Sequence, residues 1–287
     1  MKIILAEKAG FCFGVERAVD MAMKEAAAAP GKVWSWGPVI HNEEVVREFE
    51  EAGGTTLEEG DPVPACGTVV LRSHGVGPEV YQQLEAAGLR IVDATCPFVL
   101  RIHRIARETA EAGGFLLVAG DPSHAEVKGI LGWAGEYCAA IGSPEDVESL
   151  VLPAERPVTL VAQTTFPVKK FQDIVEKLKH CGYSINVVNT ICNATRERQE
   201  EAQRVAACVD AMVVIGGTRS SNSQKLFEIC RSACPRTCFI QTYQDLTTDD
   251  IIGAHSIGIT AGASTPKKII QEVLHTCQSY RTSSTSF

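Results

Sequence analysis

Short apolar runs recur along the chain, and stretches in which apolar residues return every three or four positions lie between them. The runs at 3–5, 69–71, 115–119, 158–162, 211–215 and 256–259 predict β-strands. The stretches at 15–28, 42–51, 99–112 and 168–180 predict amphipathic helices. Regular alternation of the two predicts an α/β protein with largely parallel sheets.

Composition sets outer limits. With 287 residues, 45% of them apolar, the chain can bury a substantial core as one large domain or two or three small ones. A net charge of −8 and no dense basic stretch argue against a nucleic-acid partner. No apolar run approaches the roughly 20 residues that span a bilayer, so no membrane association is expected. The opening Met1-Lys-Ile-Ile-Leu-Ala-Glu-Lys reads as a first strand rather than a signal peptide, which predicts a cytoplasmic protein. The Ser/Thr-rich end "QSYRTSSTSF" is expected to be disordered.

A weak repeat adds organisation. "VVLRSHGVGPEV", "LLVAGDPSHAEVKGI", "MVVIGGTRSSNSQKL" and "IGITAGASTPKKI" each read as strand, polar turn, helix, and in open α/β sheets that edge binds ligands. A second element, "KAGFCFGVERAV", "VDATCPFV" and "VVNTICNATRERQ", places a cysteine where a helix opens. Cys12, Cys96 and Cys192 are about one small α/β unit apart. The division this suggests is 14–96, 97–192, and 193–287 together with 1–13, each unit contributing one cysteine to a common centre.

Eleven cysteines are many for a reducing compartment, where disulfides are disfavoured. Small buried residues and metal ligands are the remaining readings. A thiolate at a helix N-terminus is favoured by the dipole and by free N–H groups. Any one such cysteine also fits a tight turn as a small apolar residue. Cys230, Cys234 and Cys238 look like a cluster motif, but the first belongs to a helix that ends before Pro235 and the last to the next strand, so they should diverge. No Cys-x-x-Cys pair supports a zinc finger.

His41, His74 and His124 each sit in a strand-edge turn, where imidazole can bind an anion or serve as an ordinary cap-region side chain. His103, His180, His255 and His275 look unremarkable. In "SHAE", Ser123 and Glu126 form a candidate capping box, and Glu126 is also a candidate acid. The "GTRSSNSQ" and "GASTPKK" turns offer hydroxyls and an amide at helix starts, which hold anions or simply cap. With the three histidines they suggest a phosphate ester held by neutral donors. "QTT" at 163–165 offers hydroxyls at another strand edge.

Taken in order, "GFCFGVERAV", "GPVIHN", "RSHGV", "DATCPFV", "GDPSHAEVKG", "AQTT", "NTICNATRERQ", "GGTRSSNSQKL" and "TAGASTP" resemble the 4-hydroxy-3-methylbut-2-enyl diphosphate reductase family, from Cys12 to about Pro266. The resemblance implies three pseudo-symmetric α/β units in a trefoil around one central [4Fe–4S] cluster. Cys12, Cys96 and Cys192 would be its protein ligands and the fourth iron would stay open. It implies that His41, His74, His124, Thr164, Thr165, Ser220, Ser221, Asn222 and Ser264 bind the allylic diphosphate. Glu126 would be the proton donor, with Thr164 its catalytic partner. Isopentenyl and dimethylallyl diphosphates would be the products. Ferredoxin or flavodoxin would supply electrons, with no tightly bound nucleotide cofactor. A quinolinate-synthase-like dehydratase, a non-enzymatic iron–sulfur redox sensor and a zinc-bound structural protein are the alternative readings.

Overall fold

The computed structural model describes residues 1–29, 31–58 and 60–283. Among them, twelve strands form three four-stranded sheets, and every pairing is parallel. The expected α/β class is therefore observed. Parallel neighbours need a crossover, and helices supply most of them. The chain separates into two compact units, one of Met1–Glu16, His41–Val45 and Asn193–Phe287, the other of Arg17–Ile40 and Val46–Cys192.

The first unit carries one sheet, in the order Lys2–Leu5, Ser256–Ala261, Ala211–Ile215, Thr237–Ile240. Its inner strand Ala211–Ile215 is buried at every residue. One face packs against Ile269, Ile270, Val273 and Cys277. The other packs against Ala202, Ala206 and Leu226.

The second unit carries two sheets. One runs Gly54–Leu57, Val33–Trp36, Thr68–Leu71, Arg90–Asp93; the other runs Cys138–Ile141, Phe115–Ala119, Val158–Ala162, Ile185–Val187. The helices Pro97–Glu111 and Ala125–Ala134 pack Ile102, Ala106, Val127 and Ile130 onto the latter sheet. Trp133 ties the two sheets' elements together by donating its indole N–H to the Val76 carbonyl (2.9 Å).

The helix Lys267–Ser283 runs through the first half of the segment expected to be disordered. Its last four positions, 284–287, lie outside the described residues. No described helix is long and apolar enough to cross a membrane.

Candidate active site

Three turns build the chemistry of the second unit. The strand Thr68–Leu71 runs into Ser73-His74-Gly75. There Ser73 donates to the Val39 carbonyl through both its N–H (3.3 Å) and its hydroxyl (3.4 Å). Gly75 has φ +71, and a Cβ on it would lie 2.5 Å from the His103 ring, so only glycine lets the turn lie flat on that ring. His103, which the sequence marks as ordinary, is 4% exposed and stacks on Trp133 at 5.7 Å. Neither ring nitrogen has a hydrogen-bond partner among the described residues. Burial pushes its pKa down to about 4, so the ring is neutral at physiological pH.

The strand Phe115–Ala119 leads to His124, which caps the helix Ala125–Ala134 by accepting the Glu126 N–H on Nδ1 (3.1 Å). This corrects the expected capping box: the cap is His124, and Ser123 instead donates to Asp121 (2.7 Å). An accepting Nδ1 is unprotonated, so His124 is neutral with its hydrogen on Nε2, a donor suited to an anion. The His74 and His124 rings meet edge to face at 5.4 Å.

Glu126 is 2% exposed. Its Oε1 accepts the Thr164 N–H (2.6 Å) and its Oε2 the Thr164 hydroxyl (2.8 Å). The Thr164 carbonyl in turn accepts from the Cys192 N–H (3.0 Å). A buried carboxyl, a hydroxyl and a cysteine are thereby fixed in one chain of hydrogen bonds. Thr165, the next residue, is half-buried.

The first unit holds a neutral cradle. Ser220 caps the helix Ser221–Ala233. Its oxygen accepts from the hydroxyls of Ser223 (2.9 Å) and Ser264 (3.1 Å) and from the Ser223 N–H (3.4 Å). Beside it, Asn222 is 5% exposed, and its side-chain N–H2 group has no partner among the described residues. A buried donor left in that state costs about 1–3 kcal/mol, which an anionic acceptor would recover. Ser221 is half-buried at the first position of the helix. A Cβ on Gly217 would lie 2.5 Å from the His41 carbonyl, so glycine there admits the His41 loop beside the Ser220 turn.

None of the eleven cysteines, all among the described residues, is in a disulfide. Each of the three expected ligands directly precedes a helix: Cys12 before Phe13–Ala28, Cys96 before Pro97–Glu111, Cys192 before Asn193–Ala206. Each also gives its N–H to a turn at the end of a strand. Cys12 donates to Ala263 (3.4 Å), Cys96 to Ser73 (3.0 Å) and Cys192 to Thr164 (3.0 Å). Those turns carry Ser264, His74 and Thr164 itself. All three thiols are partly exposed, and each taken singly is a soft donor at a helix N-terminus, the kind of ligand an iron–sulfur cluster or zinc takes. Cys230 and Cys238 differ. Burial pushes both thiols up to about 12, one inside a helix and the other in the strand Thr237–Ile240.

Two supporting residues escaped the sequence reading. Arg198, buried, donates from Nε to the Lys8 carbonyl (2.8 Å) and from Nη2 to the Gly10 carbonyl (2.7 Å). Glu201 accepts the N–H groups of Glu7 (2.9 Å) and Lys8 (2.8 Å). Together they clamp the loop that ends at Cys12. In "ATRERQEEAQRVA" they look like solvent charges, but Thr195, Arg198, Gln199, Ala202 and Ala206 follow the spacing of an inward face. Arg17 plays a similar part before Cys96, donating to the carbonyls of Thr95 (3.3 Å) and Asp93 (3.5 Å).

Fold and site together define a class: a parallel α/β protein with helix-opening thiols, a buried carboxyl partnered by threonine, and a cluster of uncharged hydroxyls and an amide at two strand-end turns. The comparisons narrow it. A family model described as LytB protein matches residues 3–278. A 4-hydroxy-3-methylbut-2-enyl diphosphate reductase of Pelobacter propionicus is 42% identical over 274 residues, 96% of either chain. The solved structure of the E-1-hydroxy-2-methyl-but-2-enyl-4-diphosphate reductase from Plasmodium falciparum gives a TM-score of 0.90 at 26% identity, covering 96% of this chain and 87% of that one. Another, of (E)-4-hydroxy-3-methyl-but-2-enyl diphosphate reductase, the terminal enzyme of the non-mevalonate pathway, gives 0.69 at 36% identity, covering 97% and 100%. The chain belongs to the LytB family.

Proposed function

We infer that this chain reduces 4-hydroxy-3-methylbut-2-enyl diphosphate to isopentenyl and dimethylallyl diphosphates, the terminal step of the non-mevalonate route to isoprenoids. The LytB family uses an iron–sulfur cluster. Here Cys12, Cys96 and Cys192 would hold a single [4Fe–4S] cluster, one from each of three α/β units (14–96, 97–192, and 193–287 with 1–13). Bound there, the cluster supplies single electrons and a Lewis-acidic open iron. The observation that carries the reading is the threefold tie of a helix-opening cysteine to a turn bearing a candidate substrate residue.

The chain's own residues then have distinct tasks. His41, His74, His124, Ser220, Ser221, Asn222 and Ser264 hold the diphosphate with neutral donors and helix N-termini, fixing the alcohol end. Glu126, when protonated, donates to the Thr164 hydroxyl, which turns its own hydrogen toward the substrate oxygen. Thr165 sits next in the same turn as a further substrate contact. The C–O bond breaks and oxygen leaves as water. Two electrons enter, and one proton adds at either end of the three-carbon allylic system, so two isomers form. Reduced ferredoxin or flavodoxin is the electron source, acting on a cytoplasmic enzyme.

The test is anaerobic purification and reconstitution, followed by iron and sulfide analysis and turnover with viologen as reductant. Cluster binding and conversion of the diphosphate to both isomers are expected. A protein that takes up no iron, or is loaded but inert, overturns the reading.

A further inference from the structure

The helix Pro97–Glu111 opens directly after Cys96. Its inner face, Val99, Ile102, His103 and Ala106, is buried. The outer face of its first turns carries two large apolar side chains in water, Phe98 at 43% and Leu100 at 37% exposure. Arg101, Arg104 and Arg107 are exposed on the same helix. Arg107 has Glu111 for company at 3.8 Å. Arg101 and Arg104 have no carboxylate partner among the described residues, and the first turn holds no acidic residue.

Helix stability does not account for this face. Helix starts are stabilised by acidic groups, and exposed apolar side chains grouped with uncompensated cations are a mark of an interaction surface. The helix after Cys12 also exposes its first aromatic, Phe13 (66%), but the other cysteine-led helices differ in charge. Phe13–Ala28 has Glu16 in its first turn, and Arg196 of Asn193–Ala206 is held by its own Asn193 (3.3 Å). Overall composition does not account for it either, since the chain carries −8.

We propose that Phe98, Leu100, Arg101 and Arg104 form the docking face for a small acidic one-electron carrier protein. The proposal rests on the reading of Cys96 as a cluster ligand, which places the electron's entry point at the head of this helix. The apolar pair would bury against the rim of the carrier's redox centre, and the two guanidiniums would pair with carboxylates around it, giving steering and register. Two reduced carriers each lose one electron per turnover. These two electrons and two protons convert the allylic alcohol to product and water, and two oxidised carriers leave.

The experiment uses the cluster-loaded enzyme and two reductants, a reduced acidic bacterial ferredoxin and dithionite-reduced methyl viologen, a small molecule that needs no docking face. In R101E/R104E the KM for ferredoxin should rise roughly tenfold or more while the viologen-supported rate stays within about twofold. Wild-type turnover with ferredoxin should fall as salt is raised past about 0.1 M, where screening reaches about 10 Å, and the double variant should lose that dependence. Phe98→Ser, which keeps both charges, should raise the ferredoxin KM without changing the salt slope. An unchanged ferredoxin KM in R101E/R104E overturns the proposal. So does an equal loss with both reductants, which would assign the face to folding or to the cluster. Failure of the wild type with viologen would instead sink the proposed function.

Discussion

Four uncharged side chains of the first unit, Ser220, Asn222, Ser223 and Ser264, form a cluster at two strand-end turns. In the second unit one carboxylate takes both hydrogens that Thr164 offers. The two regions teach different lessons about redundancy. An anion cradle divides its work among several weak donors, so losing one leaves the rest in place. A proton path runs through single atoms, so losing one breaks it. On the proposed function, damage to the first region should appear in binding and damage to the second in turnover.

The sharpest test of that contrast is Glu126→Gln. It keeps the shape and a hydrogen-bonding group at the site but has no proton to deliver. Turnover of the loaded enzyme should fall by about 10²–10⁴-fold while substrate affinity, measured by titration, changes little. A variant that kept wild-type turnover would remove Glu126 from the reaction. Thr164→Val should come next, because it deletes the hydroxyl and preserves the backbone N–H that still reaches Glu126. A loss of roughly thirtyfold in kcat is expected, equivalent to about 2 kcal/mol.

Ser220→Ala should act on the other side of the comparison. It removes the oxygen on which Ser223 and Ser264 converge. KM should rise roughly tenfold, about 1.4 kcal/mol, with kcat nearly kept. A kcat loss as large as that of Thr164→Val would erase the distinction between cradle and proton path.

Acid should separate the regions more gently. His103 lies against the turn of His74 with a pKa lowered from 6.5 to about 4. Below pH 6.5 the unfolded chain takes up a proton that the folded chain refuses, so the stability contribution is full above 6.5 and falls as pH drops toward 4. At pH 5.5 the loss is on the order of 1 kcal/mol. Urea midpoints measured across pH 7 to 5 should show this slope in the wild type and a shallower one in His103→Leu. Parallel slopes would mean that His103 titrates normally.

Much of this architecture was legible in the chain. Val69–Leu71, Phe115–Ala119, Val158–Ala162 and Ala211–Ile215 are buried throughout or nearly so, and a strand covered on both faces reads as an unbroken apolar run. Edge strands such as Arg90–Asp93 and Ile185–Val187 are partly exposed and carry no such run. The inner strand Val33–Trp36 was missed because "VWSW" is short and its alternate residues are only half-buried. The helix-opening position of Cys12, Cys96 and Cys192 was also readable, since it depends only on neighbours in sequence.

What tertiary structure alone decided was the pairing of distant polar groups. Glu126 looked as much like half of a capping box as like an acid until Thr164, 38 residues away, was seen to hold both its oxygens. Ser220 and Ser264 are 44 residues apart, and Arg198 reaches back 190 residues to Lys8. Local sequence records which face of a helix is apolar and which residue begins it, because those follow from burial and backbone geometry within a few positions. It does not record which buried polar atom will meet which. That depends on how the sheets bring their strand ends together, and buried polar groups are stable only where such partners arrive.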